Sequence, residues 1–235
     1  MNNDYQNYFP QTDSASLTNR LSAIMRRVYV KMTLALLVTA FVAYFCSQSL
    51  EVIKFFANNP FMMWILLGVE LLIVIGVSGG INRLSSSAAT GLFYLFAVVN
   101  GLMLFPIVLA YTGESIAKTF FITAGVFGGM SVYGYFTSRD LTRMGSLLIM
   151  ALIGLIICSV VNIFLHSDTM GWIISIAGVL IFIGLTAWDT QQIKRMALQA
   201  PDEAVSKLAT IGALTLYLDF INLFLYLLRF FGQRD

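Results

Sequence analysis

Two carboxylic acids inside long apolar stretches are the side chains with the clearest chemical potential in this sequence. Asp219 lies in the middle of the apolar run 208–231, and Asp189 lies near the end of the run before it. An ionised aspartate at membrane depth costs roughly 3 kcal/mol or more, so it is normally neutralised, paired or set facing water. We therefore expect the two acids to meet and to form the working site of a helical membrane protein.

The composition predicts a membrane protein rather than a soluble one. Of the 235 residues, 58% are hydrophobic and only 11% are charged, against about 25% charged residues in soluble domains. Several apolar runs approach the ~20 residues that a helix needs to cross a bilayer, whereas a membrane β-barrel shows short alternating segments. The predicted fold class is therefore an all-α membrane protein, a bundle of transmembrane helices.

The remaining composition excludes several classes of function. The net charge of +2 is small, and no basic patch with interleaved aromatic residues is present, so no nucleic-acid partner is expected. Cys46 and Cys158 lie in different apolar runs without metal or redox spacing, and His166 is the single histidine. These counts exclude a zinc site built on several imidazoles. We expect no tightly bound cofactor and no enzyme activity.

Seven apolar runs define the organisation of the chain. They span residues 28–49, 61–81, 88–111, 116–136, 144–165, 170–193 and 208–231. We expect a polar cytoplasmic tail at 1–27, a seven-helix transmembrane domain at 28–231 and a short C-terminal tail at 232–235. The first tail is too long and too polar for the start of a signal peptide, so the first helix should be retained. Pro106 should kink the third helix.

The distribution of basic residues predicts the orientation. Ten Lys and Arg residues fall on the side of the N-terminus and four on the other. The positive-inside rule then places the N-terminus in the cytoplasm and the C-terminus outside. Asp189 and Asp219 fall at similar depths on consecutive antiparallel helices, which are normally neighbours. Close helix contacts are expected at small residues, namely Gly125, Gly128, Gly129, Gly134, Gly145 and Gly154.

A third acid extends the candidate site toward ion transport. Two carboxyl groups in contact cannot both ionise cheaply, so they tend to share one proton and respond to pH. Carboxylate oxygens are also the ligands that Ca²⁺ prefers, and Glu70 lies alone in the middle of the second run. We therefore take Glu70, Asp189 and Asp219 as candidate metal ligands, with Glu70 and Asp219 along an ion pathway. Arg83, on the same cytoplasmic level, could bridge to the pair.

A purely structural interpretation competes with this one. The acids would then be satisfied by neighbouring polar side chains and would only hold helices together, the candidates being Thr186, Gln192, Tyr217 and Asn222. Arg83 would be a snorkelling residue at the membrane interface.

Four stretches resemble the Bax inhibitor-1 (transmembrane Bax inhibitor motif) family, namely 216–224, 227–232, 100–107 and 188–194. The resemblance covers the first to the seventh run and looks like a prokaryotic member, which implies the bacterial inner membrane. It implies a last helix that is central and wrapped by the other six, and a pH-sensitive Ca²⁺ leak governed by an aspartate dyad. The dyad matches Asp189 and Asp219, the family's acid in the second helix matches Glu70, and its latch arginine matches Arg83.

The hypothesis that follows is a gate closed by charge. With the dyad ionised or singly protonated, Arg83 bridges toward it and the seventh helix plugs the path. Protonation weakens the bridge, the helices move apart, and Ca²⁺ passes with Glu70 as a transient ligand. The expected partners are membrane lipid, calcium ions and protons.

Other classes of membrane protein share some of these features. Intramembrane aspartyl proteases carry Gly-x-Gly-Asp, but residues 216–218 before Asp219 lack glycine. Rhomboid proteases pair a serine with histidine, and His166 is predicted on the opposite side of the membrane from Ser78. Two alternatives stay open: a proton-coupled calcium antiporter, and a non-transporting regulator that acts through partner proteins in the membrane.

Overall fold

The structure is a computed structural model that describes residues 14–80 and 84–233. Within these ranges the chain forms eight α-helices, one short 3₁₀ turn and no strand. The helices are α1 (Ser14–Gln48), α2 (Leu50–Asn58), α3 (Phe61–Gly80), α4 (Ser86–Ala110), α5 (Gly113–Phe136), α6 (Thr142–Leu165), α7 (Asp168–Gln199) and α8 (Val205–Phe231), with the 3₁₀ turn at Asp202–Ala204.

Seven of these helices, α1 and α3 to α8, are long and apolar enough to cross a membrane. Each overlaps one of the seven apolar runs, so the predicted all-α bundle of seven transmembrane helices is confirmed. Short connections make consecutive helices antiparallel, and α7 returns into α8 through residues 200–204. Successive spanning helices therefore begin at opposite ends of the bundle, and α1 and α8, the first and the seventh, begin at the same end.

The first helix begins earlier than the apolar run 28–49 predicts. It starts at Ser14 because buried apolar residues continue at helical spacing before that run, at Leu21, Ile24 and Met25. Part of the stretch expected to be a polar tail is thus a helix. Residues 1–13, 81–83 and 234–235 lie outside the described part of the chain.

A short amphipathic helix, α2, was not predicted. Ser49 caps its start by accepting a hydrogen bond from the Val52 backbone N–H at 3.4 Å. Val52, Ile53 and Phe56 pack against a small apolar cluster at the end of α1, which includes Cys46. The sequence does contain a signal for this helix: these apolar residues are interspersed with the charged residues Glu51 and Lys54, in a stretch too short to span a membrane.

The most enclosed spanning helix is α8. In its most apolar window 67% of the residues are buried, against 17% in α3 and 6% in α6. It packs against α1, α4, α5 and α7, while α3 packs mainly on α4 and α6 on α7. The outer helices α3 and α6 therefore present apolar side chains such as Leu72 and Ile157 to the lipid.

Glycines permit close helix contacts at two of the six expected positions. A Cβ on Gly134 would collide with the Ala187 backbone, and one on Gly145 would collide with the Trp188 ring. The expectation was wrong at the other four, since no described atom of another helix lies within 4 Å of an added Cβ at Gly125, Gly128, Gly129 or Gly154. These four glycines therefore make no close contact with a neighbouring helix among the described residues.

The third spanning helix, α4, continues through Pro106 to Ala110. Proline lacks the N–H that would bond the carbonyl of Leu102, one turn earlier. The kink at Pro106 stays a prediction.

Candidate functional site

The register between α7 and α8 brings Asp189 and Asp219 together. Gly212 of α8 lies against Ile193 of α7. Because the two helices are antiparallel, the residue seven positions after Gly212 lies level with the residue seven positions before Ile193. Asp219 is therefore level with Thr186. Asp189 is therefore about one turn away along α7. Helical side chains lean toward the N-terminus of their own helix, and in antiparallel helices these two lean toward each other. The two carboxyl groups therefore lie close enough to interact directly.

The environment of the pair limits its charge. Asp219 is only 4% exposed, and its Oδ2 is buried with no hydrogen-bond donor among the described residues. Two carboxyl groups in contact form a hydrogen bond only when one carries a proton, and two adjacent buried charges repel each other strongly. This geometry therefore suits a pair that shares one proton.

Three of the four side chains that could have satisfied the acids structurally are engaged elsewhere. Asn222 donates to the carbonyl of Leu218 at 2.8 Å, and Thr186 donates to the carbonyl of Phe182 at 2.7 Å. Both bonds return to the preceding turn of the same helix. Tyr217 belongs to a separate cluster, described below. None of these three provides a partner for Asp219.

The segment of α7 that follows Asp189 is tied to the α5–α6 connection. Gln191 accepts from the Leu141 N–H at 2.9 Å and donates to the Arg139 carbonyl at 2.8 Å. Arg195 forms an ion pair of 2.6 Å with Asp140. Hydrogen bonds from Thr142, with the Arg195 guanidinium beside them, lower the pKa of the exposed Asp140 carboxyl. The helix end below the dyad is thereby fixed to its neighbours.

Glu70 belongs to a second polar cluster that joins four helices. Asn100 of α4 donates through Nδ2 to Glu70 Oε1 of α3 at 2.8 Å, and the Tyr217 hydroxyl of α8 donates to Asn100 Oδ1 at 3.0 Å. The same hydroxyl lies 2.6 Å from Oγ1 of Thr39 in α1, which donates to the Ala97 carbonyl at 2.8 Å. Sequence reasoning gave Asn100 and Thr39 no role, although a buried polar residue in an apolar run is a signal.

The three acids do not form one ligand set. Among the described residues, no group of three or more His, Cys, Asp or Glu side chains lies close enough to hold a metal ion. Tyr217 and Asp219 are two residues apart, about 200° around α8, so they face different neighbours. The dyad lies on the side of α7, and the Glu70 cluster lies on the side of α4. Arg83 lies outside the described residues, so the structure does not place the latch.

The family and its bacterial relatives agree with this architecture. A model of the family described as "Inhibitor of apoptosis-promoting Bax1" matches residues 21–235. The "Inner membrane protein YbhL" of Escherichia coli (strain K12) is 46% identical over 231 residues, which cover 96% of this chain and 98% of that protein. A protein of Borreliella burgdorferi is 49% identical over 214 residues, 89% of this chain and 91% of its own. The chain therefore belongs to the Bax inhibitor-1 family and is a multi-pass protein of the inner membrane.

Proposed function

We propose that the protein is a pH-sensitive Ca²⁺ leak channel gated by the Asp189–Asp219 pair. The observation that carries the proposal is the contact of these two carboxyl groups between α7 and the enclosed helix α8. A coupled pair of buried acids changes its charge over a pH range that belongs to the pair. Such a contact can convert a change of pH into a change of helix packing.

The charge of the pair sets the state of the gate. When the pair shares one proton it carries one negative charge. In the proposed gate Arg83 would bridge to this charge, and α8 would close the path. A second proton removes this charge and with it the bridge, so α7 and α8 separate. Leak should therefore rise as pH falls.

The two polar clusters would act together because α8 contributes to both. Asp219 joins α8 to α7, and Tyr217 joins it to Asn100 and hence to Glu70. A displacement of α8 would loosen both contacts at once. Glu70, released from Asn100, would then serve as a transient oxygen ligand for the passing cation.

The experiment is Ca²⁺ entry into proteoliposomes that enclose a calcium dye, followed from about pH 8 to pH 6, because burial and a neighbouring acid shift the ionisation of carboxyl groups toward neutral pH. The variants are Asp219→Asn and Asp189→Asn. Asp168→Asn is the matched control, because Asp168 is an exposed acid at the other end of α7. We expect the parent and the control to leak more as pH falls, and both dyad variants to leak at a rate independent of pH. Dyad variants that keep the parent's pH profile contradict the gate.

The same vesicles separate the two alternatives. Ca²⁺ uptake against its gradient, driven by an imposed proton gradient, identifies an antiporter. Flux equal to that of empty vesicles for the parent and every variant contradicts the channel and means that the acids are structural or act through a partner protein. Downhill flux alone supports the channel.

A further inference from the structure

A charged pocket lies at the end of the bundle where α1 and α8 begin. Its volume is about 270 Å³, and it is enclosed by the first turns of α1 and the connection that leads into α8. Arg20 and Arg27 line it from α1, and Asp202 and Ser206 line it from the other side. The pocket is separate from both acidic clusters, since it shares no residue with either.

The positive charge in this pocket is only partly neutralised. Arg20 pairs with Asp202 at 2.9 Å and donates to the Ala200 carbonyl at 2.5 Å through the same atom, Nη2. Its Nε is buried and has no hydrogen-bond partner in the described part of the chain. Arg27 forms no ion pair with any described residue. The pocket therefore contains two guanidinium groups and one carboxylate, and only Arg20 is paired with that carboxylate.

The surrounding surface is strongly basic. Lys31, one turn after Arg27, donates to the hydroxyls of Thr90 and Thr210, at 2.8 and 2.7 Å, and pairs with no carboxylate among the described residues. In the described residues this end of the bundle carries nine basic side chains and three acidic ones, whereas the opposite end carries three of each. The basic residues are Arg20, Arg26, Arg27, Lys31, Arg139, Arg143, Lys194, Arg195 and Lys207, and the acidic ones are Asp140, Asp202 and Glu203. A field of one sign concentrates anions at this end.

We propose that this pocket binds a phosphate group. A guanidinium presents its N–H donors as a fork that matches two phosphate oxygens. Arg27, which forms no ion pair in the described part of the chain, supplies such a fork beside the Arg20 guanidinium on the same helix. The Ser206 hydroxyl adds a donor from the start of α8. Asp202 would oppose the anion, but its side chain is 93% exposed and can turn into solvent without burying a charge.

The phosphate would come from a lipid headgroup or from solution. The pocket lies where the first spanning helix begins, at the level of headgroups around a transmembrane bundle, and basic residues beside a membrane helix attract anionic lipids. A bound phosphate would join α1 to the start of α8. This inference does not depend on the proposed calcium leak.

The test measures phosphate and phospholipid binding to the purified full-length protein in neutral detergent. Native mass spectrometry counts bound phosphatidylglycerol, with phosphatidylcholine as the neutral comparison, and inorganic phosphate is titrated separately as a competitor. The variants are Arg27→Gln and Arg20→Gln. Arg143→Gln is the matched control, because Arg143 is an exposed arginine at the same end but outside the pocket. Thermal unfolding of each variant checks that it is folded.

We expect the parent and Arg143→Gln to bind phosphatidylglycerol about tenfold more tightly than Arg27→Gln, because one charge-assisted hydrogen bond is worth about that factor. Binding of inorganic phosphate with the same dependence on Arg27, and with no preference for phosphatidylglycerol over phosphatidylcholine, supports the phosphate site with phosphate from solution as its source. Equal binding of every probe by the parent and by a folded Arg27→Gln overturns the proposal. Should Arg20→Gln unfold because it loses Asp202 and Ala200, Arg27→Gln decides alone.

Discussion

Tyr217 is the residue through which α8 is hydrogen-bonded to both α4 and α1. It is completely buried, and its hydroxyl contacts Asn100 and Thr39. Its ring packs edge-on against Phe93 and Phe96, with centroid distances of 5.9 and 5.6 Å. The ring contributes apolar packing. The hydroxyl fixes the position of α8 relative to α4 and α1, because a buried hydroxyl must keep its hydrogen-bond partners.

Removing only the hydroxyl, with Tyr217→Phe, should destabilise the protein by about 1–3 kcal/mol, since Asn100 and Thr39 would lose a buried partner. Equilibrium unfolding in mixed micelles measures the change. Tyr44→Phe is the control, because Tyr44 is 61% exposed, and it should stay within about 0.5 kcal/mol of the parent. Equal effects of the two substitutions would mean that the buried hydroxyl contributes nothing.

Sequence reasoning identified the acids but not their partners. Asp189, Asp219 and Glu70 were recognisable because a carboxyl group in an apolar run is costly. Asn100 and Thr39 are neutral, and neutral polar residues in a helix can bond the preceding turn, as Asn222 and Thr186 do. Which of the two happens depends on the helix that packs alongside, and one sequence does not contain that information.

At the scale of elements, the fit of α5 against α7 depends on one glycine. The Cα of Gly134 faces the backbone at Ala187, two residues before Asp189. Gly125 lies nine residues earlier on the same helix, about half a turn around it, and no described atom of another helix lies within 4 Å of an added Cβ there. The two glycines therefore form a matched pair, one in contact and one free.

Gly134→Ala should push α5 away from α7 and destabilise the protein by about 1–3 kcal/mol, because backbone cannot yield to an added methyl group as a flexible side chain can. Gly125→Ala should be neutral or slightly stabilising, since alanine is the better helix former. Thermal unfolding followed by size-exclusion chromatography compares the two. A Gly134→Ala protein as stable as the parent would show that α5 and α7 can separate freely.

The number of spanning helices was predictable, but their arrangement was not. Length and apolar character are local properties, and they predicted all seven spans. In the most apolar window of each helix, the mean hydropathy is 2.8 for α6 and 1.8 for α8. Yet 6% of the residues in that window are buried in α6, and 67% are buried in α8. In a membrane the lipid is itself apolar, so high hydropathy does not drive a helix inward. The start of α1 and the end of α7 were missed because these two helices continue beyond their apolar stretches.

The whole molecule is polarised along the membrane normal. Basic side chains are concentrated where α1 and α8 begin, and the opposite end is balanced. The structure contains ion pairs at the basic end, Arg20 with Asp202 and Arg195 with Asp140, and these neutralise only part of the excess. The excess favours the cytoplasmic side for this end.

Cysteine labelling in intact cells should show this orientation. In a protein whose Cys46 and Cys158 are replaced by serine, we expect a membrane-impermeant maleimide to label Gln233→Cys directly, and to label Glu203→Cys only after lysis. The two positions follow and precede α8, so they lie on opposite sides of the membrane. The reverse pattern would place the N-terminus outside.

The hydrogen-bonded chain that ends at Glu70 depends on the number of protons it contains. Thr39 donates its hydroxyl proton to Ala97 and Tyr217 donates its own to Asn100, so the 2.6 Å contact between the two hydroxyl oxygens contains no proton. A half-turn of the Asn100 amide, with a proton on Glu70, gives every contact a donor. Glu70 then donates to Asn100, Asn100 to Tyr217, Tyr217 to Thr39, and Thr39 to Ala97. The chain is therefore complete only when Glu70 is neutral, and a movement of α8 that withdraws Tyr217 would free Asn100 to turn back and donate to an ionised Glu70.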